Sequence, residues 1–172
     1  MIQPANLLFC TSKFQDLQIN FMNRKAILKE VESIINGDQH RDKKLQSICE
    51  LLDREVDVFD WTGFYLTSEE EDRMLVLGPY VGEATDHKKI PFGKGICGQA
   101  AETLDTFVVQ DVNQADNYLA CSIHVQSEIV VPIMKREKFV GELDIDSHTK
   151  DAITPELKDL CEKICEKISV LF

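Results

Sequence analysis

The spacing of the apolar residues changes twice along this chain, and that change limits the folds open to it. Ile27, Val31 and Ile34 recur at helical spacing, and Asn36-Gly37-Asp38 follows them with turn chemistry. From about Gln39 to Glu55 a second helical pattern sets Leu45, Ile48, Cys49 and Leu52 on one stripe. Strand-like blocks then take over: Trp61 to Leu66, Met74 to Leu77, Thr106 to Gln110, Glu128 to Lys135 and Lys138 to Asp146. The acidic turn Ser68 to Asp72 separates the first two blocks, and Arg136-Glu137 joins the last two as a hairpin. Helical spacing returns with Leu157, Leu160, Ile164, Ile168 and Leu171, behind a capping Thr154 and a first-turn Pro155. Helices flanking a run of mostly neighbouring strands predict an α+β domain built on an antiparallel sheet.

A chain of 172 residues is long enough for one sizeable core. Its 30 acidic against 19 basic side chains leave a net charge of −11, which argues against nucleic acid and anionic membrane as partners. No apolar run approaches the ~18 residues that cross a bilayer. The start holds only a short apolar patch, Leu7-Leu8-Phe9, with no cationic lead, so a secretory signal is not expected. Residues 1–21 read as a leader, with Met22 as an alternative start, and 22–172 as a single domain. The expected location is cytoplasmic. There the six cysteines stay reduced unless they are catalytic, redox-active or metal-bound.

Cys97 and Cys121 stand apart from the helical stripes. Cys97 lies between Gly95 and Gly98, in a glycine-rich loop expected to feed a short helix from Gln99 to Thr103. A thiol there meets backbone N–H groups and a positive helix end, which favour thiolate. Cys121 sits in Asp111 to Gln126, a stretch with no clear period and longer than most structureless loops. A small buried filler is the commoner role for any one cysteine. Cys49, Cys161 and Cys165 fall on or beside apolar stripes and are expected in the core, while Cys10 lies in the leader. Gly93-Lys94-Gly95 lacks the rest of a phosphate-binding pattern.

Asp144 and Asp146, two apart in a strand, point to one face, with Leu143 and Ile145 on the other. That face is either solvent-exposed or meets a cation. An odd hairpin loop sets Glu128 opposite Asp144, whereas a two-residue loop turns it to the other face. A bulge, which Pro132 permits, changes the register again.

Several motifs in order resemble the free methionine-(R)-sulfoxide reductases. They are Asp60-Trp61-Thr62-Gly63-Phe64-Tyr65-Leu66, Leu75-Val76-Leu77-Gly78-Pro79-Tyr80 and Ile90-Pro91-Phe92-Gly93-Lys94-Gly95-Ile96-Cys97-Gly98. Gln110-Asp111-Val112, Ala120-Cys121, Ser127-Glu128-Ile129-Val130-Val131-Pro132 and Gly141-Glu142-Leu143-Asp144-Ile145-Asp146-Ser147 continue the match, which runs from about Lys25 to the C-terminus. The resemblance implies a GAF domain, a six-stranded antiparallel sheet between helical layers. It implies Cys121 as the catalytic cysteine, Cys97 as a resolving one, Glu128, Asp144 and Asp146 as the carboxylates of the substrate pocket, and Trp61 as its aromatic wall. The family's common third cysteine, ten positions before Cys97, is here His87, which puts the usual disulfide partner in question.

The implied reaction is thiol-dependent reduction of free methionine sulfoxide through a sulfenic acid and a disulfide. No cofactor is needed, a thioredoxin-like reductant recycles the enzyme, and the resemblance suggests a homodimer. The residue types suit that chemistry, which needs a thiolate, an acid, and carboxylates for a substrate ammonium group. Crowded carboxylates also raise one another's pKa values. One rival is a non-catalytic GAF module that binds a small ligand and signals. Another is a metal site in which His87, Cys97, Cys121 and His124 converge, although both histidines also read as ordinary surface or loop residues.

Overall fold

Helix α1 covers residues 23–36 and stops at Gly37, where the turn chemistry begins. Helix α2 (Arg41–Glu55) buries Leu45, Ile48, Cys49, Leu51 and Leu52. Asp42 in its first turn and Arg54 in its last complement the helix dipole. The computed structural model describes residues 23–114 and 124–172.

Strands β1 (Trp61–Thr67), β2 (Met74–Val81) and β3 (Lys89–Pro91) come next, followed by helix α3 (Gly95–Thr103) and strand β4 (Phe107–Val109). Strands β5 (Ser127–Lys135) and β6 (Lys138–Ser147) precede helix α4 (Pro155–Ile168). The six strands form one sheet in the order β3-β2-β1-β6-β5-β4, with every neighbouring pair antiparallel. This is the expected α+β sheet. Strand β3 carries no alternating signal in the sequence, because it is three residues long and buries only Ile90.

Alternation along the strands divides the core. Phe64, Ile129, Val131, Ile133, Leu143 and Ile145 face α1, α2 and α4, whose Val31, Ile48, Leu160 and Ile164 fill the space between. The opposite face presents Trp61, Tyr65, Leu75 and Val130 to Ile96, Ala100 and Ala101 of α3. Helix α4 starts as its sequence directs: Pro155 occupies the first turn and the Thr154 hydroxyl accepts from the Leu157 N–H at 3.3 Å. No described helix is long and apolar enough to cross a membrane.

The hairpin between β5 and β6 decides which residues share the α3 face. Its turn is two residues long, with Lys135 opposite Lys138. Continued regularly, that pairing sets Glu128 opposite Ile145 and on the far face from Asp144. One extra residue in β6 corrects it: Met134 pairs with Phe139, but Ile133 pairs with Gly141. The irregularity lies at Val140 and not at Pro132, which pairs regularly with Glu142. Glu128 therefore lies opposite Asp146, two residues along from the Asp144 expected for an odd loop and on the same face. At the bulge, a Cβ on Gly141 would stand 2.5 Å from the Tyr65 carbonyl oxygen of β1, so glycine alone permits this approach.

Candidate active site

Strand β6 directs Glu142, Asp144 and Asp146 to the α3 face. Their partners across β1 are Tyr65, Gly63 and Trp61, and across β5 they are Pro132, Val130 and Glu128. All four carboxyl groups are buried. Both oxygens of Glu142 and one oxygen each of Asp144 and Asp146 lack a hydrogen-bond partner among the described residues. Buried polar groups in that state await a ligand, a proton or a counter-ion.

Helix α3 begins at Gly95, earlier than the Gln99 its sequence suggests, so Cys97 occupies its first turn and not a preceding loop. The Cys97 thiol is buried, 3.3 Å from Asp144 Oδ2 and 4.0 Å from Glu128 Oε1. These three are also the described group whose potential ligand atoms lie within 4.8 Å of one another. Neither His87 nor His124 belongs to it, and Cys121, the remaining residue of the rival metal set, lies outside the described residues.

Burial dominates the electrostatics. Removal from water raises Asp144 from its ordinary 3.8 to about 7, while the Cys97 thiol hydrogen bond pulls it back down. Burial pushes Glu128 well up, with Asp144, Asp146 and Glu142 adding to the rise. Glu142 rises through burial and Asp144, and Asp146 through burial, Asp144 and Asp60. Burial, with mutual repulsion at three of them, thus raises all four carboxyl groups of the cluster, and Asp144 reaches a value near neutral pH.

The indole of Trp61 closes one side. It stacks on Tyr80 at 5.4 Å between ring centroids, and its Nε1–H donates to the Glu83 carbonyl at 3.0 Å. Gly63 makes room for it, because a Cβ there would stand 2.3 Å from the indole Cη2. Tyr65 lies below, its hydroxyl donating to the His87 carbonyl at 2.8 Å. A small crevice of about 20 Å³ lies beside the indole, lined by Asp60, Trp61, Glu83, Val125, Asp146 and His148 among others.

The fold therefore gathers Trp61, Cys97, Glu128, Asp144 and Asp146 on one side of the sheet. Cys121 lies outside the described residues. His87 contributes backbone groups, its N–H donating to Thr85 Oγ1 at 3.1 Å and its carbonyl accepting from Tyr65. His124 is exposed and packs against His148, with ring centroids 5.6 Å apart. Cys49, Cys161 and Cys165 are buried thiols in the helix-facing core, as their stripes predicted. Glu142 escaped the sequence reading. Its signal was there: it stands two residues before Asp144 and so shares that face.

The antiparallel sheet, helical on both faces, with a buried cluster under α3, defines a GAF domain. The GAF domain family model matches residues 39–172. The free methionine-R-sulfoxide reductase of Saccharomyces cerevisiae is 32% identical over 160 residues, covering 86% of this chain and 87% of that protein. Among solved structures, fRMsr of Staphylococcus aureus in complex with substrate is 37% identical. It has a TM-score of 0.78 and covers 87% of this chain and 95% of that one. The free methionine-R-sulfoxide reductase of Neisseria meningitidis in complex with its substrate is 30% identical with a TM-score of 0.82, covering 87% of each chain. Within the GAF class, this chain belongs to the free methionine-R-sulfoxide reductase family.

Proposed function

We propose that this chain reduces free L-methionine-(R)-sulfoxide, with Cys121 attacking and Cys97 resolving. The observation that carries the reading is the Cys97 thiol set against Asp144 and Glu128, on the same side of the sheet as the Trp61 wall. The Cys121 sulfur attacks the sulfoxide sulfur while a carboxylic acid protonates the oxygen. The oxygen then passes from the substrate sulfur to the Cys121 sulfur: the new sulfur–sulfur bond and the substrate S–O bond break, a Cys121 S–O bond forms, and methionine leaves behind a sulfenic acid on Cys121. Cys97 then attacks the sulfenic sulfur, forming a disulfide and releasing water. Its thiol proton passes to a carboxylate, and a carboxylic acid supplies the proton that leaves with the water. A thioredoxin-class dithiol restores both thiols by exchange.

Asp144, with a value of about 7 and the contact to Cys97, suits proton transfer in both directions near neutral pH. Glu128, Asp146 and Asp144 together face the substrate ammonium group, and Trp61 walls the pocket. With His87 in place of a third cysteine, the cycle runs on two thiols. The working form is a cytoplasmic homodimer, where a reducing environment keeps the thiols ready.

Multiple-turnover assay with thioredoxin, its reductase and NADPH tests the proposal, with the S epimer and a peptide-bound sulfoxide alongside. Turnover is expected only for the free R epimer. Cys121→Ser abolishes it, and Cys97→Ser yields one equivalent of methionine per enzyme and then stops. Silence of the wild-type chain with both thioredoxin and dithiothreitol overturns the proposal in favour of a ligand-binding GAF module.

A further inference from the structure

We propose that Cys97, Glu128 and Asp144 form a binding site for one Zn²⁺ ion, and that the bound ion holds the chain inactive. The binding stands on the geometry of the site, whereas the inactivation rests on the reductase reading above. Cys97 enters from the first turn of α3, Glu128 from β5 and Asp144 from β6. One potential ligand atom of each lies within 4.8 Å of the other two, and all three residues are buried. Tetrahedral zinc, with bonds of about 2.3 Å to sulfur and about 2.0 Å to oxygen, sets its sulfur and oxygen ligands about 3.5 Å apart. The Cys97 Sγ lies 3.3 Å from Asp144 Oδ2 and 4.0 Å from Glu128 Oε1, on either side of that value.

Glu142 points to a ligand independently. It shares the face of Asp144, is fully buried, and has no hydrogen-bond partner for either oxygen among the described residues. Asp144 Oδ1 is in the same position. A water on the fourth corner of the ion donates to Glu142 and satisfies these oxygens. A thiolate and two carboxylates packed together out of water also need a cation to offset their charge. The donor set selects the metal: thiolate suits zinc, whereas Mg²⁺ and Ca²⁺ favour shells of oxygen alone. Binding exchanges the Cys97 thiol proton, and any proton on the two carboxyls, for the ion. An ion held there takes the resolving thiol and two carboxyls out of the cycle, so turnover stops until the zinc is withdrawn.

The reduced full-length chain is titrated with Co²⁺, as a spectroscopic stand-in, and with Zn²⁺ against a chromophoric chelator. Wild type is expected to take up one equivalent at this site, with a thiolate-to-cobalt charge-transfer band and the visible bands of a tetrahedral ion. Cys121→Ser keeps the band and Cys97→Ser loses it, while Glu128→Gln weakens Zn²⁺ binding about tenfold or more. Zinc-edge X-ray absorption of the wild-type complex reads the shell without any substitution, and one sulfur with oxygen neighbours is expected. No zinc uptake, a shell with no sulfur or with two, a band that survives Cys97→Ser, or unchanged affinity in Glu128→Gln overturns the site. Inactivation is read in the thioredoxin assay on zinc-loaded enzyme, which is expected to be silent and to recover when EDTA withdraws the ion. Full turnover by the zinc-loaded enzyme overturns the inactivation. If the zinc-free wild type is inert, the reductase reading fails and the inactivation with it, and the uptake and absorption measurements still decide the site.

Discussion

Asp144 sets the electrostatics of the site, because it touches the Cys97 thiol and raises Glu128, Glu142 and Asp146. Its own carboxyl, raised to about 7, has a direct consequence for stability. Between pH 4 and pH 7 the folded protein keeps a proton that the unfolded chain has released. Stability therefore falls as pH rises through that window, and the whole penalty is present above it. Asp144→Asn removes the penalty. The variant should be more stable than wild type by on the order of 2 kcal/mol at pH 8 and nearly equal at pH 4, by urea unfolding. Its kcat should fall by about a hundredfold or more, since the proton donor is lost. A site group whose removal stabilises the fold marks a place where function opposes stability. Asp144 and Asp146 were legible as a shared face from their spacing alone. The same spacing reaches Glu142, but nothing in the local sequence says that a glutamate will be fully buried.

The β5–β6 hairpin shows where element-level reading stops. Both strands and the Arg136-Glu137 turn are visible in the sequence, and the turn forms as expected. Which face Glu128 takes is decided by the extra residue at Val140, and that bulge depends on β1 accepting Gly141 against the Tyr65 carbonyl. Gly141→Ala brings a Cβ against backbone that cannot swing away. It should cost about 1–3 kcal/mol in urea unfolding and depress activity by disturbing the carboxyl cluster. Gly63→Ala acts on the neighbouring strand, forcing the indole of Trp61 out of its position. Trp61 is the single tryptophan of the chain, so its fluorescence reports the change directly. Red-shifted emission with a raised KM is expected, and unchanged emission would show that the strand yields instead.

At the scale of the molecule, the two faces of the sheet separate three of the described thiols, in the helix-facing core, from Cys97 beside the carboxyl cluster. Cys49, Cys161 and Cys165 lie in the helix-facing core, where burial pushes Cys161 up to about 12 and raises the other two. Alkylation of the native protein, read by mass spectrometry, should leave these three unmodified until denaturant is added. Modification of any of them under native conditions would mean that this core opens. The sequence itself determined α1, α2 and α4, the five strands with a clear pattern, the helical stripes that bury these cysteines, and the motif order that resembles the reductases. Side-chain direction within one element follows from local backbone geometry, so it can be read without the rest of the chain. Only the tertiary structure decided the parity of Glu128, the burial of Glu142, and the meeting of Cys97 with Asp144 across 47 residues of chain. Those depend on a bulge, a helix crossing and the closing of distant strands, which are packing outcomes between elements and leave no periodic trace within any one of them.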